Sequence, residues 1–413
     1  MGRIYDLVIL EPMAGKSEVG LQTALHVSEL LRKDLRWAVA GKDGDALEDC
    51  LDALRREPNR SLPAVEVCAG SQEEIIELVQ KTKVIINLST ISDGRGEIVV
   101  KACANHGTHY LDTVNDIHWL GGIIRKYHTV AREHNAIILS HISVESTPQD
   151  LLTVCAVLKL KSKLNLQTKE LICAINQSTC PSCPSRPSRP RLTNRLSTGA
   201  SDSSGPLRSP AKSPRHPPLN PFYLSLIRGR TSCCNLNRLG RRRELTLGLL
   251  APSQTLTSQQ TRVLVHRGWA LQQDGKLYGE NFYYNEYFEA ERAPDLREPR
   301  RGLGWMKMLS CSRREEPPEV APVERKPHIS VRAIAVADQE GAFPERALAE
   351  FSYKGTSTEL VAAFLARGAA TILHTKGLLK RVGGGGVLTP AVLGMDYVDL
   401  LGRAGVEISG ELM

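Results

Sequence analysis

Short apolar runs alternate with helical patterns six times across the first 145 or so residues, and that rhythm limits the fold more than any other property of the chain. The runs are Tyr5–Leu10, Trp37–Ala40, Ala64–Cys68, Val84–Leu88, Thr108–Leu111 and Ala136–Ser140. The first, YDLVIL, reads as a buried strand. Between the runs, Leu21–Leu31, Ala46–Leu54, Glu73–Val79, Glu97–Asn105 and Ile117–His134 repeat apolar residues at helical spacing. Six βα units with short connections argue for an α/β fold built on a doubly wound, Rossmann-type parallel sheet. Thr147-Pro148 ends the rhythm; Gln149–Leu158 then reads as a helix and Lys169–Asn176 as a strand that opens a second domain.

Near Asn176 the composition changes abruptly. Ten of the 23 prolines fall between Pro181 and Pro221, among Ser and Arg and with no sustained period. Such a stretch buries too little apolar surface to offset the cost of ordering it, about 1–2 kcal/mol per residue. Residues 177–262 are therefore expected to be a disordered Pro/Ser/Arg-rich insert, either a translated non-coding stretch or a replacement for part of the second domain. The net charge of +8 belongs to this region: residues 180–268 hold fifteen Lys/Arg against two Asp/Glu, and the rest of the chain is net acidic. A nucleic-acid partner is not expected from the overall basicity, which comes from one segment. The expected organisation is 1–148, dinucleotide-binding; 149–176, start of the second domain; 177–262, insert; 263–386, substrate domain; 387–413, a helix and strand returning to the first domain. In that last part His328–Ala337 and Arg346–Tyr353 read as strands, and Ser357–Ala366 and Ala391–Ala404 as helices.

The ten cysteines lack a framework spacing, which suggests reduced thiols in a cytoplasmic compartment. Cys180 and Cys183 form a CxxC, but no second pair stands at ligand spacing, and no metal is expected. No signal peptide and no membrane span is expected, since no window of about 18 uninterrupted apolar residues exists.

A dinucleotide site needs glycines between the first strand and the first helix, so that backbone amides reach the diphosphate. The loop after Leu10 offers Gly15 and Gly20, aided by Lys16 and the Ser17 hydroxyl. AGKS also invites a P-loop, but Leu10 stands where that motif requires glycine. At the tip of the second strand Lys42 favours the 2′-phosphate of NADP over NAD, while the neighbouring Asp43 argues the other way. Ser89 and Thr90, after the fourth strand, stand where the nicotinamide end would pass. Asp112, after the fifth, and His141 and Glu145, after the sixth, are candidate proton donors; of these, Asp112 and Glu145 are the candidate catalytic residues.

These stretches resemble the saccharopine dehydrogenase-like oxidoreductase family, in the branch of trans-acting enoyl reductases. The resemblance rests on RWAVAGKDGDALEDCLDAL, VIINL with GEIVVKACANHGTHYLD, KYHTVAREHNAIILSHISVESTPQDL and GGGGVLTPAVLGMDYVDLLGRAGVEI. It implies a second α/β domain with a mixed sheet and an NADP-dependent reductase of an enoyl or imine substrate, small or carrier-bound, in lipid or polyketide metabolism. It also implies peripheral association with a membrane, mitochondrion or lipid droplet; a homodimer is a further expectation. The chain departs from the family's GATGxTG loop by carrying Ala14 and Ser17 at two of its three glycines, and from its Gly-Phe-Asp-Ser-x-Pro element by keeping only Ser146 and Pro148. The alternative reading is a catalytically inactive Rossmann scaffold or defective gene product.

Overall fold

The computed structural model describes residues 2–13, 18–30, 35–58, 60–89, 94–176, 219–225, 227, 242–253, 255–289 and 327–413. The first domain is a seven-stranded parallel sheet. Its strands are β1 (Tyr5–Leu10), β2 (Trp37–Gly41), β3 (Ala64–Val67), β4 (Thr82–Asn87), β5 (His109–Asp112), β6 (Ile137–Leu139) and, from far down the chain, β13 (Gly386–Leu388). They stand in the order β13-β6-β5-β4-β1-β2-β3, all parallel. The order reverses direction between β1 and β4, which is where a doubly wound sheet opens a crevice at its carboxyl edge. β1 and β2 are buried almost throughout, on both faces, as a sheet sandwiched between helices requires.

The connecting helices are α1 (Glu18–Leu30), α2 (Gly44–Arg55), α3 (Gln72–Lys81), α4 (Arg95–His106) and α5 (Ile117–Glu133). Local chemistry fixes where several of them start. Asp43 accepts from the Ala46 amide at the head of α2, Ser71 and Glu74 form a reciprocal capping box on α3, and Asp116 accepts from His118 and Trp119 on α5. In α1, Gly20 faces the Pro12 carbonyl so closely that any β-carbon would overlap it. This is the close helix-to-strand packing that the last glycine of a dinucleotide loop provides.

Helix α6 (Thr147–Leu164) leads into the second domain, with Pro148 in its first turn. The second sheet holds β7 (Thr168–Ile175), β8 (Arg242–Glu244), β9 (Gly248–Pro252), β10 (Tyr283–Glu289), β11 (His328–Ala337), β12 (Arg346–Lys354) and β14 (Val406–Leu412). Their order is β14-β12-β11-β7-β10-β9-β8; β7 and β10 run parallel and the other neighbours antiparallel, so the sheet is mixed. α6 packs across β11, β12 and β14, while α7 (Leu256–Leu271) packs against α6 and β10. Helix α8 (Ser357–His374) then returns to the first domain, where it packs on α1 and behind β4 and β5. Gly368 permits the approach, because a β-carbon there would stand 3.0 Å from Leu111.

Two boundaries differ from the sequence expectation. The second domain reaches back into the proposed insert: β8, β9 and the first seven residues of α7 lie within 177–262, and residues 219–225 pack on the body through Phe222, Tyr223 and Leu224. These elements are short and flanked by Ser, Arg and Gly, so their apolar residues show no period until α7 is assembled. The remainder of the insert, with Cys180, Cys183, Cys233 and Cys234, lies outside the described residues. The C-terminal segment divides between domains: β13 joins the first sheet, whereas β14 pairs with β12 in the second. The helix expected over Ala391–Ala404 is broken at Gly394 (φ 73°), leaving a 3-10 turn at Pro390–Leu393 and α10 at Met395–Gly402, after the short α9 (Leu378–Arg381).

Replacing Gly20 by Ala is expected to destabilise the protein by about 1–3 kcal/mol, because the methyl group can only be admitted by moving α1 off Pro12. A lowered Tm relative to the parent chain checks this; an unchanged Tm would show that α1 does not bear on that carbonyl.

Candidate functional site

The carboxyl edge of the parallel sheet gathers a chain of buried polar side chains. Ser89 donates from both its amide (3.1 Å) and its hydroxyl (2.8 Å) to Asn87 Oδ1. Asn87 Nδ2 donates to the Tyr110 hydroxyl (3.0 Å), which donates to Asp112 Oδ2 (2.8 Å). Asp112 Oδ1 accepts from the Ser140 hydroxyl (2.6 Å) and from the amides of Val114 (3.1 Å) and His141 (3.2 Å). The ends of β4, β5 and β6 are thus tied through one carboxylate that is 1% exposed. Burial pushes its pKa up to about 6, opposed by the four donors that favour the ionised form. With both oxygens engaged and no solvent contact, Asp112 is built to hold the edge of the sheet in place.

The turn after β6 is fixed in the same way. His141 adopts a left-handed backbone (φ 67°), and its carbonyl accepts from Ser146 Oγ (3.2 Å). Ser143 Oγ meets Ser146 Oγ at 3.0 Å, and the Ser143 amide donates to Thr147 Oγ1. The His141 ring is buried and lowered to about 4 by that burial, so it is neutral near pH 7. Glu145 lies in this turn, half-buried, and its backbone carbonyl accepts from Thr261 Oγ1 of α7 (3.1 Å). Of the two proposed proton donors, Asp112 is therefore sealed within the sheet edge and Glu145 stands at the junction with the second domain.

On the other side of the switch point, Leu10, Glu11, Cys68, Gly70, Ser89 and Arg95 are among the residues lining a small crevice of about 10 Å³ between the ends of β1, β3 and β4 and the start of α4. Glu11 and Arg95 pair across it at 3.5 Å. Lys42 is exposed at the tip of β2, and its neighbour Asp43 is committed to capping α2, so the cation rather than the carboxylate remains available there. Ser89 lines this crevice as well as anchoring on Asn87. Gly15, Ser17 and Thr90 lie outside the described residues. Gly20 serves helix packing. Toward the adenosine end of an adenine dinucleotide the residues present offer Arg95 in the crevice and the exposed Lys42 at the tip of β2, and a β-carbon at Gly41 or Gly70 would crowd Glu11 or Arg95.

Sequence reasoning passed over Glu11, Arg95 and the acid that joins the two domains. Asp150, in the first turn of α6, is fully buried and accepts from the Ala391 amide (2.8 Å), just past Thr389 and β13. A β-carbon at Gly268 of α7 would lie 3.0 Å from both Asp150 Oδ1 and Thr389 Oγ1, so glycine is what lets α7 close over this pair. Nothing in the sequence distinguishes Asp150 from an ordinary helix-starting acid. Among the described residues no group of His, Cys, Asp or Glu stands ready to hold a metal ion.

Residues 19–139 match the family model described as the saccharopine dehydrogenase NADP binding domain. This supports the saccharopine dehydrogenase-like oxidoreductase family and NADP as the cofactor. A saccharopine dehydrogenase-like oxidoreductase of Mus musculus is 29% identical over 136 residues, 32% of this chain and 31% of that protein. A lipid droplet localized protein of Caenorhabditis elegans is 28% identical over 154 residues, 36% of this chain and 35% of that protein. A probable mitochondrial saccharopine dehydrogenase-like oxidoreductase of Arabidopsis thaliana is 29% identical over 154 residues. The matched region spans about a third of the length of these relatives. The apo saccharopine dehydrogenase (L-Glu forming) of Saccharomyces cerevisiae superposes over 99% of this chain and all of its own with a TM-score of 0.53 at 8% identity, which extends the likeness of fold to both domains. The trans-acting enoyl reductase branch finds no support in these likenesses.

Burial raises Asp150 from 3.8 to about 7. The folded state then binds more protons than the unfolded one between those values, so this group's stabilising contribution is present below pH 4 and lost as the pH rises to 7. Asp150→Asn keeps an acceptor for Ala391 and cannot ionise. Its Tm relative to the parent is expected to improve by several degrees between pH 5 and pH 8; a difference independent of pH would mean that Asp150 does not titrate in this range.

Proposed function

We propose that the protein is an NADP-dependent oxidoreductase of the saccharopine dehydrogenase-like type, reducing an enoyl or imine substrate, small or carrier-bound, in lipid or polyketide metabolism. The observation that carries the reading is the carboxyl edge of the parallel sheet at its switch point. There Lys42 and Arg95 face the adenosine side, and the Asn87–Tyr110–Asp112–Ser140 chain builds a rigid floor on the nicotinamide side. NADPH bound there would supply hydride. Asp112 positions the loops at the ends of β4 and β6, and Glu145, at the domain junction, delivers the proton that balances the hydride. Among the described residues no helix is long and apolar enough to cross a membrane. Peripheral association with a lipid surface, in keeping with the lipid droplet relative, and a homodimer belong to the same proposal.

The narrowness of the crevice favours a second reading, an inactive scaffold that keeps the shell of the fold. Titration with NADPH separates the two. Saturable tryptophan quenching is expected below millimolar cofactor, and its absence there supports the scaffold. For catalysis, Glu145→Gln is expected to lower turnover by about 10²–10⁴-fold with cofactor binding retained. Full turnover in that variant would remove Glu145 from the chemistry.

A further inference from the structure

The crevice beside β1 is closed by the chain's own charges. Glu11 follows β1 in a left-handed backbone conformation (φ 56°), and its amide donates to the Ala40 carbonyl (2.7 Å), which fixes the residue beside the tip of β2. Glu11 Oε2 lies 3.2 Å from where a β-carbon on Gly41 would stand, and Oε1 lies 3.5 Å from Arg95. The Arg95 guanidinium in turn lies over Gly70, 3.0 Å from the position of a β-carbon there. Both charged groups are largely withdrawn from water, at 13% and 23% side-chain exposure. Arg95 also opens α4, the end of a helix where a cation is disfavoured and an anion favoured. The arrangement asks for an anion between Arg95 and the tip of β2, and in the free protein Glu11 provides it.

Resting on the NADP reading above, the geometry points to Glu11 as an internal substitute for the cofactor's 2′-phosphate, seated in an anion site whose cation is Arg95. The cofactor displaces the carboxylate. A phosphate monoester brings about −1.5 to −2 charges at pH 7 and three strong acceptor oxygens, against one charge and two oxygens on the carboxylate, so it takes over the guanidinium. NAD, with a hydroxyl in that place, has no anion with which to draw Arg95 from Glu11. The pair therefore sets selectivity as well as affinity.

The test uses the full chain and its Glu11→Gln and Arg95→Gln variants, titrated with NADPH and with NADH and followed by tryptophan quenching, with a thermal melt to confirm that each variant folds. Arg95→Gln is expected to weaken NADPH by about tenfold and to leave NADH unchanged, while Glu11→Gln tightens NADPH several-fold. NADPH binding to Glu11→Gln alone, with the parent silent, would show a carboxylate that the cofactor does not displace and would overturn the proposal. If the parent binds NADPH and Arg95→Gln binds it equally well, or Glu11→Gln binds it more weakly, the assignment of this pair falls and the NADP reading stands. If neither the parent nor Glu11→Gln binds NADPH, both fall.

Discussion

A single buried carboxylate organises the working edge of this protein. Asp112 sits at the end of β5 and collects hydrogen bonds from Tyr110, Ser140, Val114 and His141. Burying a charge without such partners costs far more than a fold of ordinary stability can bear, so the donors and the carboxylate require one another. The consequence is geometric. The loop after β4 hangs from Asn87, which is held by Tyr110; the turn after β6 hangs from Ser140 and the His141 amide. Ser89 on one side and Glu145 on the other are therefore spaced by one network rather than by two independent loops.

The junction of the two domains follows a similar logic with the opposite charge. Arg267 of α7 is fully buried and lowered to about 10 by that burial, which still leaves it protonated at neutral pH. It donates to the carbonyls of Leu224 (3.1 Å) and Val387 (2.8 Å) and lies 3.0 Å from His128 Nδ1. The same Nδ1 accepts from the Val387 amide (3.0 Å), so His128, lowered to about 4, is a neutral acceptor. One arginine thus pins together α5, α7, β13 and the segment around Leu224. Asp150 performs the corresponding task between α6 and the turn after β13. Such groups are rigid only while every partner is present, which suits a boundary that must keep a site in register.

The first domain was legible because its signal is local. Tyr5–Leu10 and His328–Ala337 were read with their observed bounds, since a buried strand of β-branched and apolar residues announces itself without knowledge of its neighbours. The site was legible in outline. Lys42 and Ser89 stand at the edge of the sheet because strand ends can be located from sequence, and Asp43 was resolved only when its hydrogen bond to Ala46 showed it to be a helix cap. Glu11 and Arg95 were illegible: 84 residues separate them in the chain, and neither spacing nor periodicity links a residue after β1 to one at the head of α4. β8 and β9 were hidden among Ser, Arg and Gly because a strand of three to five residues has no period to detect.

By itself the sequence determined the alternating parallel architecture of the first domain and the charge at the tip of β2. These follow from apolar periodicity and chain direction, which act over ten or twenty residues. Only the tertiary structure decided that Asp112 is enclosed while Glu145 reaches the domain junction, that β13 completes the first sheet while β14 joins the second, and that Glu11 holds Arg95 across the crevice. Those outcomes depend on which distant groups share a low-dielectric space, where the energy of a charge is set by its neighbours and not by its place in the chain.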